Sequence, residues 1–120
     1  MRRIRVDAMP IERFGSTGVT MHLPTADPQA RFRTDGPTTM AVAELAAGAV
    51  LGRHPAVGPQ LLSVVAGTVT VAGDDGRWQS LSAGEAVLFA PGEEHETRAD
   101  APATLAILEW AGSPDPGGAG

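Results

Sequence analysis

Glycine and proline interrupt this chain so often that only short secondary-structure elements fit between them. The 120 residues include 15 glycines and 10 prolines. No window of helical length keeps apolar residues at positions i, i+3, i+4 and i+7 without a break. This punctuation is typical of short strands joined by turns, so we predict an all-β fold. The candidate strands are residues 4–6, 18–22, 39–45, 61–66, 68–72, 78–81, 86–89 and 103–110.

The clearest local pattern is a β-hairpin over residues 68–81. Residues 68–72 alternate with period two, and the turn Gly-Asp-Asp-Gly at 73–76 tolerates positive φ before the chain returns. Residues 40–47 contain good helix formers, but the flanking Thr39 and Gly48 leave barely two turns, so we favour a strand there. Residues 23–37, rich in proline, are predicted to form a loop.

Length and charge limit the domain count and the partners. A chain of 120 residues suffices for one core, and we assign residues 1–111 to one domain and 112–120 to a disordered tail. The net charge of -5 argues against a nucleic-acid or anionic-membrane partner. The longest apolar run, residues 41–51, is too short to span a bilayer. No apolar leader follows the basic residues Arg2, Arg3 and Arg5, so we expect a solvated first strand and a cytoplasmic location.

Missing residue types narrow the chemistry further. The chain contains no Cys, Lys, Tyr or Asn, which excludes thiol nucleophiles, Schiff-base lysines and tyrosine acids. The groups that remain for catalysis are three histidines, the carboxylates and the hydroxyls of Ser and Thr.

Two histidines and one glutamine are the candidate metal ligands. His54 and Gln60 flank a turn with two prolines, which places them at the end of one strand and the start of the next. His95 follows the turn at residues 90–92 and begins another strand, so closure of a barrel brings it against the first pair. Imidazole suits Zn, Cu, Fe or Ni, whereas a side-chain amide is a weaker oxygen donor.

Strand periodicity adds a pocket floor and several secondary candidates. If Gln60 points inward, Leu62 and Val64 do so too, giving an apolar surface suited to a small organic ligand. Glu109 is a possible general base only if it faces the same cavity, and His22 is interpreted as a structural or surface residue. The acidic residues around His95 are interpreted as a solvated turn, and the two tryptophans as core or dimer-interface residues. These are Glu93, Glu94, Glu96, Trp78 and Trp110.

These residues resemble the two motifs of the cupin superfamily, Gly-x5-His-x-His-x3or4-Glu-x6-Gly and Gly-x5-Pro-x-Gly-x2-His-x3-Asn. Every interval is kept, over a motif core of about residues 38–110. The corresponding positions are Gly48, His54, Ala56, Gln60 and Gly67 for the first motif and Gly84, Ala90, Gly92, His95 and Ala99 for the second, in which the proline has moved to Pro91. The resemblance implies a jelly-roll-like β-barrel of two antiparallel sheets, and a homodimer in which the strand at residues 1–6 crosses to its partner.

The departures from the motifs define the functional question. Cupins with the full set hold a divalent metal through three histidines and one glutamate, and here Ala56 and Gln60 replace two of these ligands. The resemblance implies a divalent transition metal, Fe, Zn, Ni, Mn or Cu, held by His54, Gln60 and His95 in a pocket lined by Ala56, Leu62 and Val64. An oxygenase, isomerase or lyase acting on a small molecule is then expected. The alternatives are a metal-free small-molecule-binding protein and a purely structural or partner-binding role.

Overall fold

The computed structural model describes residues 1–26 and 30–112, and this part of the chain is built almost wholly of β-strands. Eleven strands and one short 3-10 turn, at Arg13–Gly15, fall within these residues. The strands are β1 Arg2–Ile11, β2 Val19–Ala26, β3 Ala30–Arg31, β4 Thr38–Leu45, β5 Val50–Pro55, β6 Gln60–Ala66, β7 Thr68–Ala72, β8 Trp78–Ser82, β9 Ala86–Phe89, β10 Glu94–Arg98 and β11 Ala103–Trp110.

The strands form two sheets in which all neighbours are antiparallel. The larger sheet has seven strands in the order β3-β2-β1-β9-β6-β11-β4, and the smaller has four in the order β5-β10-β7-β8. The prediction of an all-β fold with two antiparallel sheets is therefore confirmed. Because consecutive strands in the chain often lie in different sheets, the barrel closes through long-range pairing.

The main core lies between the two sheets and follows the period-two alternation of the strands. In β6, Leu62 and Val64 are buried in this core, and β9 contributes Val87 and Phe89. Phe89 has no exposed surface, and burying a side chain of this size contributes about 1.5–3 kcal/mol. Alternate residues of the same strands, such as Leu61, form a second cluster on the outer face of the seven-stranded sheet.

Several predicted strands are confirmed and others need correction. The hairpin is confirmed, since β7 pairs with β8 and Ala72 lies opposite Trp78. The segment at 38–45 is a strand, not a helix. The loop prediction for residues 23–37 is partly wrong, because β2 continues to Ala26 and β3 follows. Strands β5 and β10 were not among the candidate strands, although His54 and His95 were expected at strand ends. The predicted tail lies, from residue 113 onwards, outside the described residues.

The hairpin formed by β1 and β2 extends beyond the barrel and is called the arm below. Only residues 2–4 of β1 pair with β9 of the same chain, whereas residues 5–11 pair with β2 alone. In the single chain described, the first residues of the strand predicted to cross to a partner pair with β9, and the crossing itself stays a prediction. Phe14 at the tip of the arm is 98% exposed and has a left-handed backbone, with φ of 59°.

In the part of the chain that the structure describes, no helix is long and apolar enough to cross a membrane.

Candidate functional site

The two motif histidines meet at one end of the barrel, here called the mouth. His54 near the end of β5 lies directly opposite His95 near the start of β10. Their ring centroids are 4.5 Å apart at an interplanar angle of 54°. The structure therefore brings together side chains that are 41 residues apart in the sequence (95 − 54).

Backbone carbonyl groups fix the orientation of both imidazole rings. The Nδ1 atom of His54 lies 2.6 Å from the carbonyl oxygen of Gly52, and that of His95 lies 3.0 Å from the carbonyl oxygen of Glu93. Because a carbonyl oxygen only accepts hydrogen bonds, each Nδ1 carries the proton and donates it. Both Nε2 atoms are then left with a lone pair, which is the arrangement found in metal-binding histidines.

The position of His54 depends on an irregularity in β5. His95 pairs with His54 but Thr97 pairs with Leu51, so β5 has one residue more than β10 between these two pairs. This β-bulge, at residues 52–53, keeps His54 and Leu51 on the same face of the sheet although they are three positions apart.

His95 lies in a mostly apolar environment. Its side chain is buried, and its ring stacks on Phe89 with centroids 4.3 Å apart. Burial lowers the pKa of His95 below its usual value and repulsion from His54 acts in the same direction, outweighing the opposing effects of the Glu93 carbonyl and of the Glu93 and Glu109 carboxylates. The imidazole is therefore neutral at pH 7 and can accept a proton or bind a cation.

Gln60 is paired with the carboxylate of Glu109, whose orientation the sequence left open. Glu109 of β11 lies opposite Gln60 of β6, and Oε1 of Glu109 accepts hydrogen bonds from Nε2 of Gln60 at 3.3 Å and from the backbone N–H of Val57 at 3.2 Å. Since the amide group of Gln60 donates to Glu109, its Oε1 remains an acceptor. The alternation of β11 indicates this orientation, because Leu105 of the buried core lies two strand repeats earlier on the same face.

The prediction that the acidic residues around His95 form a solvated turn is wrong for Glu93. Glu93 is buried, and its carboxylate accepts hydrogen bonds from the N–H groups of Ala90 and Asp74 and from the ammonium group of Met1. Burial alone would raise the pKa of Glu93, but the Met1 ammonium and the two N–H groups outweigh it, so the pKa is lowered. Glu93 stays ionised and anchors the segment that carries His95.

The remaining candidates lie in the core or away from the mouth. Ala56, Leu62 and Val64 are all buried in the main core. His22 is exposed on β2 and lies beside Gly84, on the outer side of the large sheet. Trp110 is buried in the outer cluster, whereas Trp78 is 43% exposed and contacts the guanidinium group of Arg98.

The donor set at the mouth tests whether a metal ion fits. Within residues 1–26 and 30–112, no three His, Cys, Asp or Glu side chains are close enough together to hold a metal ion. Counting the neutral amide oxygen of Gln60 with the two imidazole nitrogens gives three donor groups, and three protein ligands suffice for a catalytic metal site. The chemistry of His54, His95 and Gln60 thus fits a divalent transition metal, with weaker attraction than a set containing a carboxylate ligand.

Two antiparallel sheets packed on a common core, with two histidines at one end, define the double-sheet jelly-roll class of proteins. The sequence matches the family described as "Cupin domain" over residues 41–110, which is more than half of the chain. The chain therefore belongs to the cupin family. No curated protein matches the chain.

Similarity to solved structures concerns the fold. A cupin superfamily protein from Desulfitobacterium hafniense DCB-2 is 12% identical, with a TM-score of 0.60, 90% of this chain covered and 99% of that one. The DMSP lyase DddQ from Ruegeria pomeroyi DSS-3 is 23% identical, with a TM-score of 0.59, 67% of this chain covered and 40% of that one. Salicylate 1,2-dioxygenase from Pseudoaminobacter salicylatoxidans is 18% identical, with a TM-score of 0.56, 59% of this chain covered and 19% of that one.

Proposed function

We propose that the barrel mouth binds a divalent transition metal through Nε2 of His54, Nε2 of His95 and Oε1 of Gln60, and acts on a small organic molecule. The observation that carries this proposal is the pair of facing imidazoles whose Nδ1–H groups are both held by backbone carbonyls. Fixing one ring nitrogen as a donor makes the other available as a ligand, and it lowers the entropic cost of binding.

The chain's own residues would orient and tune this site. Glu109 holds the amide of Gln60 and places a negative charge beside the mouth, which favours a dication without direct ligation. Phe89 fixes the ring plane of His95 and excludes water from one side of it. Below the mouth, Leu62 and Ala56 are buried in the main core, so the inner end of the site is apolar.

A bound metal would supply Lewis-acid chemistry towards a carbonyl or enolate oxygen. Glu109 is the carboxylate at the mouth that could accept a proton, because its Oε1 is fixed by Val57 and Gln60. A fixed base next to a polarised oxygen suits oxygenase-, isomerase- or lyase-type reactions. Two structural neighbours are a lyase and a dioxygenase, whose reactions belong to the same range.

The alternative is a metal-free protein that binds a small molecule by hydrogen bonds. Two observations favour it: Ala56 occupies the position of the second motif histidine and is buried in the core, and the third donor, Gln60, carries no charge. In this alternative, His54, His95 and Gln60 would hydrogen-bond the ligand directly, and no reaction follows.

Metal titration with matched histidine variants separates the two functions. Protein purified without an affinity tag is loaded with Zn²⁺ or Co²⁺, dialysed, and analysed for bound metal by elemental analysis. The proposal expects about one equivalent in the native protein and in His22→Ala, and a large loss in His54→Ala and His95→Ala. Equal metal content in all four proteins, or none in the native protein, would contradict metal binding at the mouth. A small molecule that still binds metal-free protein, and less tightly after His54→Ala, would favour the alternative.

We also propose that the chain forms a homodimer through the exposed edge of the seven-stranded sheet. Strand β4 lies at the end of the strand order, and its side chains Met40 and Val42 are 67% and 61% exposed. An edge strand of eight residues with such side chains is usually covered by another chain. Light scattering should show a dimer for the native protein and a monomer for Val42→Lys, with Val57→Lys as the control. A dimer in both variants would place the interface elsewhere.

A further inference from the structure

We propose a second small-molecule site, on the outer face of the seven-stranded sheet, that takes an uncharged, largely apolar molecule with one hydroxyl or carbonyl group. A cavity of about 260 Å³ lies between the arm and the barrel. Its lining includes Val6, His22, Pro24, Ser63, Val65 and Glu85. The proposed metal site does not account for this cavity, although Gly84 of the second cupin motif lies in its lining.

The cavity is separate from the mouth because it lies on the other side of the sheet. Ser63 and Val65 alternate along β6 with Leu62 and Val64, and the latter two are buried in the core between the sheets. A molecule in the outer cavity would therefore contact Ser63 and Val65 from outside the barrel. The two sites can be occupied independently.

The size and lining of the cavity define the apolar part of the ligand. At roughly 30 Å³ for each non-hydrogen atom, the volume of a water molecule in the liquid, the cavity accommodates about nine such atoms. Val6 and Pro24 of the arm form one wall, and Val65 of the barrel lies on another. A single ring or a short branched chain matches this volume and this apolar surface.

Two polar groups in the cavity define the rest of the ligand. In the described part of the chain, the Ser63 hydroxyl and the His22 imidazole make no hydrogen bond to protein. The carboxylate of Glu85, in contrast, accepts hydrogen bonds from the backbone N–H of Ser82 at 2.8 Å and from Arg3 at 3.0 Å. Because Arg3 balances the charge of Glu85, an uncharged ligand with one group able to hydrogen-bond Ser63 or His22 is favoured over an anion or a cation.

Backbone geometry at Gly84 shapes the cavity next to His22. Gly84 has a φ of 86°, and a β-carbon there would lie 3.6 Å from Nδ1 of His22. A glycine therefore permits the left-handed turn before β9 while the imidazole lies against it. The turn and the arm form the site together, so a bound molecule would also hold the arm against the barrel.

A titration followed by two-dimensional amide NMR tests the proposal, with cyclohexanol as the probe and cyclohexanecarboxylate as the charged control. We expect saturable shifts at the amides of His22, Ser63, Val65 and Gly84 with cyclohexanol, and binding at least tenfold weaker for the carboxylate. Val65→Trp should abolish the shifts by filling the cavity. The matched control Val50→Trp should not, because Val50 is similarly exposed but lies on the smaller sheet.

Two further variants test the polar contacts and the separation of the sites. Ser63→Ala and His22→Leu should each weaken cyclohexanol binding about three- to tenfold, the effect of losing one neutral hydrogen bond. His54→Ala should leave it unchanged. The same amide spectra show whether each variant is folded. Absence of saturable shifts, shifts centred on His54 and His95, or equal loss in Val65→Trp and Val50→Trp would each overturn the proposal.

Discussion

Replacing Gln60 by the glutamate of the cupin motif should destabilise this particular barrel. The Gln60 amide donates to Oε1 of Glu109 across a distance of 3.3 Å. In Gln60→Glu, that donor becomes a second carboxylate facing the first. The substitution that restores the family motif therefore introduces repulsion, because the chain already has a carboxylate on the neighbouring strand.

The loss of stability in Gln60→Glu is limited by the smaller of two costs, the repulsion between the two carboxylates and the protonation of one of them. Coulomb's law at 3.3 Å with an effective dielectric constant of about 20 gives about 5 kcal/mol of repulsion. Protonating one carboxyl group whose ordinary pKa is about 4.3 costs about 3.7 kcal/mol at pH 7, which is less, so protonation sets the upper limit. Water at the half-exposed Glu109 reduces the repulsion further, and we expect a loss of about 1–3.5 kcal/mol in the free energy of unfolding.

The assay is denaturant unfolding of four proteins, the native chain, Gln60→Glu, Glu109→Gln and the double exchange, with a chelator present. The double exchange restores one amide and one carboxylate, so it should recover most of the loss. Because the pair raises a folded-state pKa, the deficit of Gln60→Glu should be absent below about pH 4 and grow as the pH rises through that value. Equal stability of Gln60→Glu and the native chain at pH 7, or no recovery in the double exchange, would refute this reasoning.

Three other predictions follow from single residues. In an NMR pH titration, His95 should titrate below its usual pKa. Its burial should make stability fall as the pH drops from about 6.5 through the folded-state pKa, and titration of His95 at or above about 6.5 would contradict this. Glu93→Gln should lower the free energy of unfolding by about 2 kcal/mol at pH 7. The difference from the native protein should shrink as the pH falls below about 4.5 through the lowered pKa of Glu93, whereas a pH-independent difference would argue against a charge effect. Gly67→Ala should lower the free energy of unfolding by more than about 3 kcal/mol, since its β-carbon would lie 2.6 Å from the Pro102 carbonyl oxygen. The control Gly76→Ala has a similar φ but no atom within 4 Å, so it should cost only about 1–2 kcal/mol. Equal melting temperatures of the two variants would refute the steric explanation.

The sequence predicted the strands whose alternation is regular and missed those in which it is broken. The bounds of β7, β9 and β11 match the predicted ones, because apolar residues there recur at every second position or fill the strand. In β5, the bulge breaks the period and its last three residues are polar or proline, so no strand pattern is visible. Strand β10 reads Glu-His-Glu-Thr-Arg, and its burial depends on contacts with two other strands.

The candidate site was predictable in part. Motif spacing located His54, Gln60 and His95, whose pairing and orientation the structure supplies. The alternation of β11 predicts that Glu109 lies on the same face as the core residues of that strand. Its contact with Gln60, however, depends on which strands become neighbours. The burial of Glu93 was not visible locally, because two of its three partners, Met1 and the turn after β7, are distant in the sequence.

The bulge in β5 has a consequence for how the chemistry of the mouth is maintained. The extra residue turns the carbonyl group of Gly52 towards Nδ1 of His54, which lies 2.6 Å away. The proton acceptor that decides the tautomer of His54 is therefore a main-chain carbonyl group, and the extra residue in β5 brings it into position. Side-chain substitutions around the mouth can alter size, charge or polarity without disturbing this proton, whereas shortening the strand by one residue would remove its acceptor. Variation in the amino acids of the site is thus compatible with a constant hydrogen-bonding state of this histidine.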